Sequence, residues 1–216
     1  LHFHQSFPEY SVTPLVKLEN LAKELGIKEI YVKDESYRFG LNAFKVLGGS
    51  YAIAREIGKR LHLAEYELNY ATLVSPEVRK KLGELTFVTA TDGNHGRGVA
   101  WTARRLGQRA VVFMPKGTAA ERLENIRKLG ADASITDVNY DDAVRMAQQY
   151  AKVHGSVVVQ DTSWEDYNEI PKYIMQGYTT MGREILQQLK EYGDVKPTHV
   201  FLQAGVGAMA GAMAGF

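Results

Sequence analysis

The chain has 216 residues, 45% of them hydrophobic and 24% charged, with a formal net charge of +1. Such a balance gives no electrostatic reason to expect nucleic acid or an anionic membrane surface as partner, and no apolar run approaches the roughly 20 residues that span a bilayer. Cysteine is absent, which excludes disulfides, thiol nucleophiles and cysteine-based metal sites; the expected compartment is cytoplasmic.

In chain order, Leu15–Leu25 carries apolar residues at helical spacing and stops at Gly26, so a helix is expected there. EIYVKDE (29–35) reads as a short strand and Phe44–Leu61 as a long helix. Glu84–Val88 reads as a strand that runs into the loop TATDGNHGRG, with a helix expected over 99–107. RAVVFMP (109–115) is a strand stopped by proline, and AAERLENIRKLG (119–130) an amphipathic helix. Ala133–Thr136 is a strand, Tyr140–Val153 a helix and SVVVQD (156–161) a strand. Pro171–Lys190 is a long helix, and Thr198–Gln203 is the last expected strand.

Short strands alternating with longer helices imply βαβ units and a mainly parallel sheet covered by helices. The chain opens without Met and stops inside an apolar, glycine-rich segment. It reads as a fragment of a longer protein, because a bare apolar face at a terminus would lack cover.

In open α/β sheets, ligands collect beyond the carboxyl ends of the strands. Three segments fall at or near such places. In RFGLNAFKVLGG (38–49), Lys45 begins a helix among apolar neighbours. It is either a solvated helix lysine or an amine whose charged form burial and the helix dipole disfavour, which would expose a nucleophile. In GNHG (93–96), Gly93 and Gly96 allow backbone to approach a planar ligand, and the Asn94 amide can bond a ring substituent. An ordinary turn with an Asn cap is the competing reading, and His95 is open between acid, base and structural roles. In QAGVGAMAGA (203–212), small residues leave N–H groups unshielded where a helix begins, which suits a phosphate. A dinucleotide fingerprint is the rival for that loop. A lysine, an Asn-bearing loop and a phosphate cradle are together the parts that pyridoxal 5′-phosphate requires.

With those segments in order, and with TPLVKLENLAKELG (13–26) ahead of them, nearly the whole chain resembles the fold-type II pyridoxal-phosphate enzymes. RFGLNAFKVLGG, ATDGNHGRGVAW, QDTSWEDY and MQGYTTM are similar to the versions carried by the diaminopropionate ammonia-lyases within that family. The resemblance implies two lobes, each with a mainly parallel twisted sheet flanked by helices. Residues 1–45 and 162–216 would belong to the larger, incomplete lobe and 46–161 to the smaller one. It implies pyridoxal 5′-phosphate held covalently by Lys45, with Gly93, Asn94, His95 and Gly96 at the ring. Gly205, Val206, Gly207, Ala208 and Met209 would lie around the phosphate.

The implied reaction is α,β-elimination of D- or L-2,3-diaminopropionate to pyruvate and ammonia, in a homodimer that binds a small amino acid, with no metal. One lysine reaches one face of a planar conjugated system, so the two isomers require two bases. The resemblance gives the second role to Asp92, and to Asp161 the orientation of substrate; a cap or turn residue is the competing reading of Asp92, and an N-cap in DTSWE that of Asp161. A serine or threonine dehydratase and a non-catalytic nucleotide-binding module are the alternative functions.

Overall fold

The computed structural model describes residues 2–216. A short helix α1 (His2–Gln5) precedes strand β1 (Leu15–Lys17), helix α2 (Glu19–Glu24) and strand β2 (Tyr31–Lys33). Strands β1 and β2 pair antiparallel, with Leu15 opposite Lys33. The expected helix over Leu15–Leu25 is thus a strand followed by a shorter helix. Its first three residues lie in the ladder with β2, and tertiary pairing overrides their helical spacing.

A 3-10 turn (Glu35–Gly40) leads to helix α3 (Lys45–Leu61), and helices α4 (Tyr70–Leu73) and α5 (Pro76–Leu82) follow. The second half of the fold alternates strand and helix: β3 (Thr86–Ala90), α6 (Asn94–Arg105), β4 (Arg109–Met114), α7 (Ala120–Arg127), β5 (Asp132–Ile135), α8 (Tyr140–His154) and β6 (Val157–Val158). Helices α9 (Glu169–Glu191) and α10 (Ala208–Gly215) complete it.

Strands β3 to β6 form one sheet in the order β5-β4-β3-β6, and every pair is parallel. The period of two along a strand sorts its side chains onto two cores. Phe87, Val112 and Met114 join Val99, Ala100 and Ala103 of α6, whereas Val88, Ala90 and Val111 join Ala143, Ala147 and Ala151 of α8. Both faces are covered, as a parallel sheet requires.

The mainly parallel arrangement holds for this sheet. The other sheet among the described residues is the two-stranded antiparallel pair. Thr198–Gln203, expected as a strand, has no strand partner and is largely exposed, with Phe201 at 92%. A strand is defined by its ladder, and an unpaired apolar segment has none.

Around α3 the packing is unusually close. A Cβ built on Gly98 of α6 would lie 2.8 Å from Val46 Cα. One built on Gly48 would lie 2.6 Å from Ile174 Cγ2 and Tyr178 Cε1 of α9. Helices α6 and α9 therefore grip the first turns of α3 at spots where only glycine fits, and Lys45 stands at the start of that gripped segment.

Candidate active site

Lys45 is the first residue of α3, and Phe44, at the cap position, gives no side-chain bond to the helix start. Its side chain is 29% exposed, and Nζ donates to Asp161 Oδ2 at 2.5 Å. Asp161 lies just beyond β6 and is buried. No helix starts there, since α9 begins at Glu169, so Asp161 is a partner of Lys45 and not a cap. The amine is accordingly one half of an ion pair, a partner that neither sequence reading, solvated helix lysine or partly desolvated amine, included.

His95 stands in the first turn of α6, which begins at Asn94 itself and not at 99. Its Nε2 donates to the Val159 carbonyl at 2.8 Å, which leaves Nδ1 as a bare acceptor, 3.9 Å from Asp161 Oδ2 and without a hydrogen bond. Burial holds the ring below the ordinary imidazole range, against the pull of Asp161. Burial would raise the Asp161 carboxyl, but His95 and Lys45 outweigh it and keep it below its ordinary range. With His95 held low by burial, the direct partner of the Asp161 carboxylate is Lys45 Nζ, which hydrogen-bonds it.

Asp92 is placed differently. It lies in the loop between β3 and α6, its side chain is 74% exposed, and its Oδ2 lies 3.4 Å from Arg122 Nη1. Arg122 also donates to the Asp92 carbonyl at 3.0 Å. Asp92 forms no ion pair with Lys45. Asn94 is exposed, whereas Gly93 and Gly96 are buried, and Thr91 Oγ1 accepts from Gly93 N at 3.0 Å.

Gly205, Val206 and Gly207 form a bend before α10, with Ala208 and Met209 in its first turn. Gly207 has φ 89° and caps the helix without a side-chain bond, which leaves the first N–H groups without a capping side chain. This loop makes no hydrogen bond to Lys45 or Asp161. The helix it opens, α10, packs against α9, with Gly211 beside Met175.

Three further residues belong to this region and were not legible as site residues. Tyr178 packs its ring edge-on against Phe44 at 5.2 Å, and its buried hydroxyl has no hydrogen-bond partner. Burial drives that hydroxyl well above the usual phenol range, and the Asp161 charge adds to the effect. Tyr140 and Gln160 lie between the two acid-bearing strand ends and bond each other at 2.8 Å. A local signal existed only for Gly177 of α9, because a lone glycine inside a helical pattern points to a close approach, and a Cβ there would meet the Leu47 carbonyl of α3.

A family model for pyridoxal-phosphate dependent enzymes matches residues 7–216. The chain belongs to that family. It is similar to the diaminopropionate ammonia-lyase of Salmonella typhimurium, with 53% identity over all of this chain and 54% of the relative. The apo crystal structure of the Escherichia coli diaminopropionate ammonia-lyase superposes with a TM-score of 0.94 at 54% identity, covering 100% of this chain and 58% of that one. The same enzyme in complex with an aminoacrylate-PLP azomethine reaction intermediate superposes at 0.91 and 53% identity, covering 100% and 53%. The chain spans about half the length of the curated relatives it matches.

The residues present fit the family's cofactor. A partly exposed primary amine has one carboxylate partner. Two helices, α6 and α10, start without a side-chain cap, and buried acceptors or hydroxyls on His95 and Tyr178 lack partners. Among the described residues no group of three His, Asp or Glu could hold a metal ion, and no helix is long and apolar enough to cross a membrane.

Proposed function

We propose that the protein of which this chain is part eliminates ammonia from 2,3-diaminopropionate, both D and L, and that hydrolysis of the resulting imine by one water gives pyruvate and the second ammonia. The observation that carries the reading is the Lys45–Asp161 pair at the end of the parallel sheet, in a chain 53% identical throughout to a diaminopropionate ammonia-lyase.

Pyridoxal phosphate, when bound, supplies an electron-withdrawing ring that stabilises negative charge on the substrate's α-carbon. Lys45 would hold the cofactor, Gly93, Asn94, His95 and Gly96 would lie at its ring, and Gly205, Val206, Gly207, Ala208 and Met209 would lie around its phosphate. Lys45 Nζ takes the α-proton of the L-isomer. The D-isomer presents that proton to the opposite face, where the Asp92 carboxylate takes it. Asp161, ionised beside Lys45, binds the distal ammonium of the substrate by charge and keeps it protonated. That matters because nitrogen must leave as neutral ammonia, not as amide ion. The working form is a cytoplasmic homodimer, with residues 1–45 and 162–216 in the larger lobe and 46–161 in the smaller.

Full-length protein loaded with pyridoxal phosphate and offered D- and L-diaminopropionate, D-serine and L-threonine tests the reading. Pyruvate from both diaminopropionate isomers is expected. Fast turnover of serine or threonine with none of diaminopropionate would replace it by a dehydratase.

A further inference from the structure

The ladder between β6 and β3 ends unusually. Val159 N donates to Val88 O at 2.9 Å, and the next step is made by a side chain. Ala90 N donates to Gln160 Oε1 at 3.0 Å, and Gln160 Nε2 donates to Ala90 O at 2.9 Å. The amide of Gln160 thus stands in for a strand residue and pairs with the last residue of β3. Its remaining capacity is also used: Thr89 Oγ1 donates to Oε1 at 2.9 Å, and Nε2 donates to Tyr140 Oη at 2.8 Å. Both acceptor sites and both donors are satisfied, in a residue with no exposure.

This pairing frees the main chain beyond Gln160 from the ladder. Gln160 N instead donates to Tyr167 Oη at 2.8 Å, and Tyr167 Oη donates back to Val158 O at 2.9 Å. Asp161, the next residue, can then turn toward Lys45. On the other strand, Asp92 follows Ala90 by two residues. One side-chain amide therefore ties together the two backbone segments that carry the acids.

We propose that Gln160 is a positioning residue that sets the placement of Asp161 against Asp92 by pairing its amide with Ala90. The proposal rests on the acid roles given above. A buried, satisfied amide can equally be a plain structural element, and the two differ in what a substitution does. If Gln160 only holds the fold, its loss lowers stability and affects both isomers alike. If it places the acids, the loss falls unequally on D- and L-diaminopropionate, because a group misplaced by about 1 Å can lower rate by up to about 100-fold.

The test uses Gln160→Glu and Gln160→Met in the full-length protein. A carboxylate accepts only, so at pH 8 it opposes the Ala90 carbonyl. Protonated, the same group donates to Ala90 O and accepts from Ala90 N. Two quantities are read: the D-to-L rate ratio of the holoenzyme, and amide-exchange protection at Ala90 in the cofactor-free protein. For Gln160→Glu at pH 8 we expect protection to fall and the ratio to shift, each by about tenfold, within the span that a misplaced group can produce. Both should return toward wild type as the introduced carboxyl is protonated near pH 5.

Gln160→Met should lose protection at every pH and separates this recovery from general acid effects. Wild-type protection in both variants overturns the proposal, and so does lost protection with an unchanged isomer ratio. If the wild type makes pyruvate from neither isomer, the activity reading fails alone. The NMR shift of the Asp161 carboxyl in Gln160→Met then decides the role of Gln160: an unchanged Asp161 beside lost Ala90 protection overturns it.

Discussion

Gly98 and Val46 meet backbone to backbone: a Cβ on Gly98 would sit 2.8 Å from Val46 Cα and 3.0 Å from Val46 N. Both partners of that contact are main chain, so no rotamer change can relieve a larger residue. Helix α3 must move away from α6, and Lys45, one residue before Val46, moves with it. Gly98→Ala should cost about 1–3 kcal/mol, the usual range for overpacking a tight interior. It should also weaken capture of pyridoxal phosphate by the amine. Thermal melting and the cofactor's absorbance on titration measure the two effects separately.

Glu184, buried on α9, collects four partners, one of them Thr13 Oγ1 at 3.3 Å. Arg38 donates to both its carboxylate oxygens at 2.8 and 2.7 Å, Lys33 lies at 2.7 Å, and Tyr10 donates at 2.7 Å. Burial would raise its carboxyl, yet Arg38, Lys33 and Tyr10 bring it down to about 2. The group anchors the segment leading to Lys45, in which Phe39 and Asn42 have positive φ, a strained conformation for such residues. Removing one partner strands the others, so Glu184→Ala should destabilise by about 3–5 kcal/mol. The double change Glu184→Leu with Arg38→Met should cost less than the sum of the single changes. Urea melts of the four proteins give the comparison.

His4 makes the fold sensitive to acid. Its Nδ1 is 2.8 Å from Thr180 Oγ1, and Nε2 is 3.0 Å from both Leu47 O and Ser50 Oγ. Burial lowers the ring from 6.5 to about 3, so the folded protein keeps it neutral while the unfolded chain takes up a proton. The folded value lies below the unfolded one, and the contribution is therefore complete above pH 6.5. It is lost as pH falls from there toward about 3. The slope in that window is about 1.4 kcal/mol per pH unit for one group. His4→Gln should make the profile shallower there by about that amount, as read from urea midpoints at several pH values.

Asp92→Asn separates the two isomers. The side chain is 74% exposed and its ion pair with Arg122 is long at 3.4 Å, so stability should change by less than about 1 kcal/mol. Activity on D-diaminopropionate should fall by at least about 100-fold, a usual size for a lost general base, while most activity on the L-isomer remains. Equal losses on both would remove the two-base scheme. Steady-state rates on the separate enantiomers decide it.

Much of this fold was legible in one dimension. Pro115, Gly107 and Gly130 punctuated the strands and helices of the parallel sheet, and the elements from β3 to β6 appear in the expected order, although α6 starts earlier, at Asn94, and β6 keeps only Val157–Val158 of the expected 156–161. The N-terminal misreading had a physical cause, since Leu15–Lys17 satisfies a helical spacing but finds a ladder with β2. Thr198–Gln203 had the composition of a strand and no neighbour to pair with. Of the site, Lys45 and GNHG stood out because a lysine at a helix start and clustered glycines are locally odd.

Residue type and local spacing alone carried the alternation of strand and helix, the absence of thiol chemistry and the set of groups suited to pyridoxal phosphate. Those properties depend on neighbours a few residues apart. Tertiary structure alone decided that Lys45 pairs with Asp161, 116 positions on, and that Gln160 completes the ladder to Ala90. It likewise placed Glu184 beneath the segment before Lys45 and left Asp92 exposed beside Arg122. Ion pairs and buried amides form across separations in sequence that no local pattern records, and burial, which sets their charge, is a property of the packed molecule.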